Sequence, residues 1–211
     1  MNRFNLIAII IIVLSVLIGI FSYGYFPEKV ASHWGPRGEV NGFMPKFWGI
    51  FLMPLISIAL LLLFIIIPKF DPLKKNYEKF RRYYDSFILM VIIFLFYIFL
   101  LTIIWNLGIF FNMSLAIIPA IGFLFFYIGI LLKNTKRNWF LGIRTPWTLS
   151  SDIVWDKTHR LGSKLFMLSG IITLVGILFP DLFIWFVLAP VLISSVWLYL
   201  YSYLVYKKEK K

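Results

Sequence analysis

Six apolar runs dominate what this chain can fold into: Phe4–Phe21, Phe47–Ile67, Phe87–Trp105, Leu115–Leu132, Leu165–Phe179 and Phe183–Tyr206. A helix needs roughly 20 apolar residues to cross the hydrocarbon of a bilayer. Leu165–Phe179 is shorter, but Leu161–Gly162–Ser163 can extend it. Backbone groups in hydrocarbon have no water to bond, so each run is read as a helix rather than a strand. The composition agrees. Charged residues make up 14% of the 211 and the mean hydropathy is +0.90, whereas soluble domains carry roughly a quarter charged residues. The expectation is an all-α integral membrane protein with six transmembrane helices and no separate soluble domain.

Charge placement orients it. Of the 21 Lys and Arg residues, eighteen fall on the N-terminus, the second and fourth connections and the tail Lys207, Lys208, Lys210 and Lys211. Only Lys29, Arg37 and Lys46 lie on the other side. The basic side is cytoplasmic by the positive-inside rule, which puts both termini inside, N-in/C-in, in the plasma membrane. The first run is longer than a signal peptide's apolar core and has no small-residue cleavage site, so it reads as an uncleaved anchor. The net charge of +12 does not point to direct nucleic-acid binding. Its Lys and Arg are spread over helix flanks, where they meet the lipid bilayer's headgroups.

The residues point to no catalytic group, no metal and no cofactor. There is no cysteine, and the two histidines, His33 and His159, fall on opposite sides of the membrane. No charged residue lies inside an apolar run, whereas pumps and proton-coupled transporters usually place one there. An enzyme is not expected, and Pro54 and Pro119 read as kinks. A small-molecule transporter or channel-like protein is the alternative.

Two connections hold the remaining information. In the outer loop, residues 22–46, Gly35–Pro36 and Arg37–Gly38 are turn dipeptides and Asn41–Gly42 favours a primed turn. Val30, His33, Trp34, Val40 and Phe43 are expected to pair across that turn as a small hairpin, displaying His33, Arg37 and Glu39. The competing reading is an amphipathic loop with Trp34 and Phe43 in the interface. In the cytoplasmic loop, residues 133–164, Thr145 precedes Pro146 and should be extended. Ser150 or Ser151 can cap a short helix with Asp152 in its first turn. Trp155 and His159 then stand at i, i+4 on an aromatic face, and Asp156 and Arg160 likewise on a charged one. That helix is either an interfacial lead into the fifth span or a docking surface for a cytoplasmic partner.

Both connections carry a resemblance. Pro27–Pro54, with Val30-x-x-His-Trp-Gly and Gly38-Glu-Val-Asn-Gly42, resembles the N-terminal module, a domain of unknown function, that accompanies SdpI-type bacteriocin immunity membrane proteins. The contiguous stretch Asn138–Arg160 is similar to that family's second signature. The resemblance implies two modules: residues 1–70 with the outer loop hairpin, and a four-helix module over 71–211 with a cytoplasmic interfacial loop and helix. It implies resistance to a secreted, membrane-active toxin peptide, and signalling by holding a transcriptional autorepressor at the membrane. The toxin-facing positions would then be His33, Trp34, Arg37, Gly38, Glu39, Asn41 and Gly42. The repressor-docking positions would be Asn138, Gly142, Arg144, Thr145, Pro146, Trp147, Ser150, Trp155, Lys157, Thr158, His159 and Arg160.

Overall fold

The computed structural model describes residues 3–210; Lys211 of the basic tail lies outside the described residues. Among the described residues, six helices are long and apolar enough to cross a membrane. They are α1 (Arg3–Ser22), α2 (Lys46–Phe70), α3 (Lys75–Asn106), α4 (Met113–Asn134), α6 (Asp152–Val175) and α7 (Phe183–Glu209), with the short α5 (Pro146–Ser150) ahead of α6. Strands β1 (Lys29–Trp34) and β2 (Val40–Pro45) form the antiparallel hairpin between α1 and α2. Leu, Ile, Val, Phe and Trp side chains cover the outside of the helices, on α7 for example Trp185, Leu192, Ile193, Val196 and Trp197. Water would reject such a surface and lipid accepts it.

Two of the helices reach well past their apolar runs. α3 starts at Lys75 rather than Phe87, and α6 at Asp152 rather than Leu165. Hydrocarbon thickness sets the length of an apolar run, but a helix continues wherever its backbone bonds and packing continue. The early part of α3 packs Tyr77, Phe80 and Tyr84 into a core with Ala8 and Ile12 of α1 and Leu61 of α2. α4 and α6 approach so closely that a Cβ on Gly129 would lie 2.7 Å from the Ser163 carbonyl. One on Gly170 would lie 2.6 Å from the Gly122 carbonyl. Small residues permit this backbone contact, the main source of helix cohesion where lipid removes the hydrophobic drive.

The prolines explain two further contacts. A proline inside a helix leaves the carbonyl four residues earlier without its donor. Pro68 does this to Phe64, and Pro190 to Phe186. A neighbouring helix answers each time: the Tyr84 hydroxyl of α3 donates to the Phe64 carbonyl at 2.6 Å, and the Thr173 hydroxyl of α6 donates to that of Phe186 at 3.3 Å. Bonds of this kind in membrane proteins contribute on the order of 0.6 kcal/mol, rarely above about 1.7.

The hairpin forms, but its turn lies earlier than Asn41–Gly42. The reversal runs over Pro36, Arg37 and Gly38, closed by the Gly38 amide to the Gly35 carbonyl (2.9 Å) and the Gly35 amide to the Glu39 carbonyl (2.8 Å). Gly38 takes φ +82°, the left-handed conformation that glycine tolerates. Gly42 instead sits within β2, opposite His33 at an irregularity of the ladder. A Cβ there would come within 2.8 Å of that of His33.

Replacing Tyr84 by Phe should cost about 1 kcal/mol in detergent. The cost should shrink in a Pro68→Ala background, where residue 68 regains an amide for the Phe64 carbonyl. Denaturant titration of the four variants measures the coupling; strictly additive costs would show that Tyr84 is not answering the proline.

Candidate functional site

Polar side chains gather at the two ends of the bundle, and at each end they hold a connecting segment by its backbone groups. At the hairpin end, Asn106 in the last turn of α3 takes both backbone groups of Ala31. Its Oδ1 accepts the amide (2.8 Å) and its Nδ2 donates to the carbonyl (3.0 Å). Asn112, which caps α4 by accepting the Leu115 amide, donates to the Arg37 carbonyl at 3.2 Å. The Ser114 hydroxyl donates to the Gly35 carbonyl at 2.9 Å. The connection between α3 and α4, uncharged and unremarkable in sequence, therefore clamps the hairpin.

That clamp decides what the hairpin presents. Val30 and Ala31 are buried, and Val30 joins Phe26, Ile50, Phe99 and Ile103 in a second core. Trp34 is half-buried, edge-on to Trp105 with ring centres 5.6 Å apart. His33, Arg37, Glu39 and Asn41 are exposed, and His33 Nδ1 is hydrogen-bonded to the Asn41 side-chain oxygen. Gly38 and Gly42 are half-buried.

At the opposite end the second and fourth connections interlock. Asp71, 2% exposed, accepts the Leu73 amide (2.7 Å) with one oxygen and the Trp139 amide (2.8 Å) with the other. Asn76 donates to the Arg137 carbonyl at 2.8 Å. Asn138 is wholly buried and is the centre of the loop. Its Oδ1 accepts the Phe140 and Leu141 amides (3.0 and 2.6 Å) and the Tyr77 hydroxyl (3.3 Å). Its Nδ2 donates to the Lys136 and Leu141 carbonyls.

The loop then folds over the start of α6. Thr145 is extended, caps α5, and donates to the Ser202 hydroxyl of α7 at 3.0 Å. Trp147 lies against Tyr199 and Tyr203, each ring centre 5.1 Å away. Ser151 caps α6 by accepting the Val154 amide, with Asp152 in the first turn as expected, although the helix it starts is the long fifth one. Trp155 and His159 stack at 3.9 Å, and the Trp155 indole N–H donates to the Thr135 carbonyl at 3.1 Å. His159 Nε2 accepts the Ile143 amide at 3.0 Å, which leaves Nδ1 to carry the proton and donate to the Trp155 carbonyl at 2.9 Å. The imidazole is thus a neutral spacer with both nitrogens committed. A Cβ on Gly142, at φ +108°, would meet its Nε2 at 2.5 Å.

The candidate loop residues therefore divide. Asn138, Thr145, Trp155, Thr158 and His159 are buried, Gly142 and Trp147 half-buried, and Arg144, Pro146, Ser150, Lys157 and Arg160 exposed. Asp156 and Arg160, one turn apart on α6, form no ion pair. Asp156 instead faces Lys136 at 3.5 Å, because the loop folds back beside the first turns of α6, and Arg137 pairs with Asp152 at 2.8 Å. Trp139 and Phe140, half and 41% exposed respectively, add an apolar rim outside the expected docking positions.

Residues 134–202, which span this loop, α6 and most of α7, match the family model described as the SdpI/YfhL protein family. Over that stretch the chain is similar to the SdpI/YfhL protein family. Residues 10–58, running from α1 through the hairpin into α2, match a domain of unknown function, DUF1648. The Immunity protein SdpI of Bacillus subtilis (strain 168) is 29% identical over 205 residues, covering 97% of this chain and 96% of that protein. No solved structure matches. The six apolar helices among the described residues and the likeness to Immunity protein SdpI fit a multi-pass membrane protein.

Replacing Asn138 by Ala strands the Phe140 and Leu141 amides, and each buried group left without a partner costs about 1–3 kcal/mol. Amide hydrogen exchange at Phe140 and Leu141 should accelerate at least about tenfold while α4 and α7 keep their protection. Unchanged exchange would remove Asn138 from its place at the loop's centre.

Proposed function

We propose that this chain is a membrane immunity protein that protects the cell making it against a membrane-active toxin peptide. The observation carrying this reading is the likeness to Immunity protein SdpI over 97% of the chain, which includes both clamped ends and not the apolar helices alone. Charge supports one orientation: the hairpin end, with Lys29, Arg37 and Lys46, faces outward, and the loop end faces the cytoplasm. The toxin then meets the hairpin end, which exposes Arg37, Glu39 and the His33–Asn41 pair and, separately, the rings of Phe43, Phe47 and Trp48. A transcriptional autorepressor, if the chain also signals, meets the exposed rim of the inner loop. There Arg144, Pro146, Ser150, Lys157 and Arg160 are available, while the buried members of the same stretch hold its shape.

Survival of toxin-sensitive bacteria expressing the protein, with insertion verified, tests the central claim over a toxin dilution series. Protection is expected to fall at least about tenfold when Arg37 and Glu39 are both replaced by Ala. Equal killing with and without the wild-type protein would overturn the immunity reading. Because the chain has no cysteine, orientation has its own test. Glu39→Cys should react with a membrane-impermeant maleimide in intact cells, and Ser150→Cys only after lysis. The reverse pattern would invert the topology.

A further inference from the structure

Where α6 passes from the loop into its apolar run, it carries a cavity on either flank. The one towards α4, about 440 Å³, is lined by Lys133, Asn134, Arg160, Ser163, Lys164 and Met167. The one towards α7, about 250 Å³, is lined by Lys157, Arg160, Leu161, Lys164 and Tyr201. Arg160 and Lys164, one helical turn apart, form the ridge between them. Neither cavity has a carboxylate in its wall. The nearby Asp152 and Asp156 are already paired with Arg137 and Lys136. Lys133, Lys157, Arg160 and Lys164 take part in no ion pair among the described residues.

A buried hydroxyl adds an independent sign. Ser163 is 2% exposed, lines the larger cavity, and its Oγ has no hydrogen-bond partner. Several helical hydroxyls of this chain bond back to a carbonyl four residues earlier: Ser57 to Met53, Thr102 to Ile98, Ser169 to Leu165 and Ser195 to Val191. Ser163 does not, and Thr158 on the same helix is likewise unpartnered, but Ser163 lines the cavity, which leaves a donor in reach of the cationic wall. Below the ridge the polar character ends. On the α7 side an apolar groove of about 430 Å³ begins at Leu165 and Leu168 and runs along Ile172, Phe186 and Pro190.

We infer that the Arg160–Lys164 ridge is a binding site for the phosphate of an anionic phospholipid. The headgroup phosphodiester lies against Arg160, Lys164 and the Ser163 hydroxyl, flanked by Lys133 and Lys157. One acyl chain lies in the groove between α6 and α7. Basic pockets between helices at the headgroup level suit this chemistry, because the anion relieves repulsion among clustered cations while its tail remains in lipid. The groove favours a lipid over free phosphate, since inorganic phosphate has nothing to place there. The site depends only on membrane embedding and stands apart from the immunity role.

Native mass spectrometry of the full chain in detergent, with graded phosphatidylglycerol, tests this. A discrete lipid adduct is expected, absent with equal phosphatidylcholine and not displaced by millimolar inorganic phosphate. R160Q with K164Q should weaken it about 30-fold, and S163A less. K207Q with K208Q, which removes the same charge elsewhere, should leave it unchanged. If the ridge double variant does not yield folded protein, Lys133→Gln carries the test, with about fivefold weakening expected. Equal retention of the two lipids, displacement by phosphate, or loss of binding in the tail variant matching that in the ridge variants would each overturn the proposal.

Discussion

A polar group carried into hydrocarbon has no water to bond, so its partner has to come from the protein. Much of this fold is arranged around that demand. Pro68 and Pro190 each open one backbone bond inside a spanning helix, and Tyr84 and Thr173 on neighbouring helices supply the missing donors. The same contacts fix which helices are neighbours: α2 against α3, and α7 against α6. The glycines of α4 and α6 add the complementary device. They remove side chains so that backbones touch, where dispersion is the attraction that lipid does not already offer.

The two ends follow one plan with different parts. An amide or carboxylate takes several backbone groups of a connecting segment. Asn106 does this for β1, Asp71 for the start of the loop, and Asn138 for the loop's turn. These side chains satisfy backbone groups inside the protein, where water is scarce. They also fix irregular segments in one shape, which is what a recognition surface on a small membrane protein needs. α3 contributes to both ends, through Asn106 at one and Tyr77 at the other, and so sets the distance between hairpin and loop.

How much of this was legible in the sequence depends on range. The six spans follow from apolar run length, and the Ser151 cap and the extended Thr145 from local rules that involve only a few neighbours. The hairpin was foreseen from its turn dipeptides, but Asn41–Gly42 was given the reversal that Gly38 performs. The turn rule weighs a dipeptide, whereas the structure needs Gly42 small because His33 stands opposite. Asn106, Asn112 and Ser114 looked like plain loop residues because their partners are far away in sequence. Helical spacing puts Asp156 and Arg160 on one face and is silent on partners outside the helix. A loop folding back placed Lys136 nearer, and no single-helix rule contains that loop.

The likeness over Asn138–Arg160 has a physical meaning that separates shape from recognition. Asn138, Thr145, Trp155 and His159 bond or stack with residues of this same loop or of helices beside it, so they specify how the segment folds. A relative that keeps these residue types keeps the loop's form, whatever it meets. Side chains that can meet something are the ones left outside: Trp139, Phe140, Arg144, Pro146, Ser150, Lys157 and Arg160. Lys157 and Arg160 also border the cationic cavities. An anionic headgroup seated there would neutralise part of the charge that the loop shows to a protein partner. Lipid composition and partner binding would then act on the same surface, each altering the affinity for the other by the same factor.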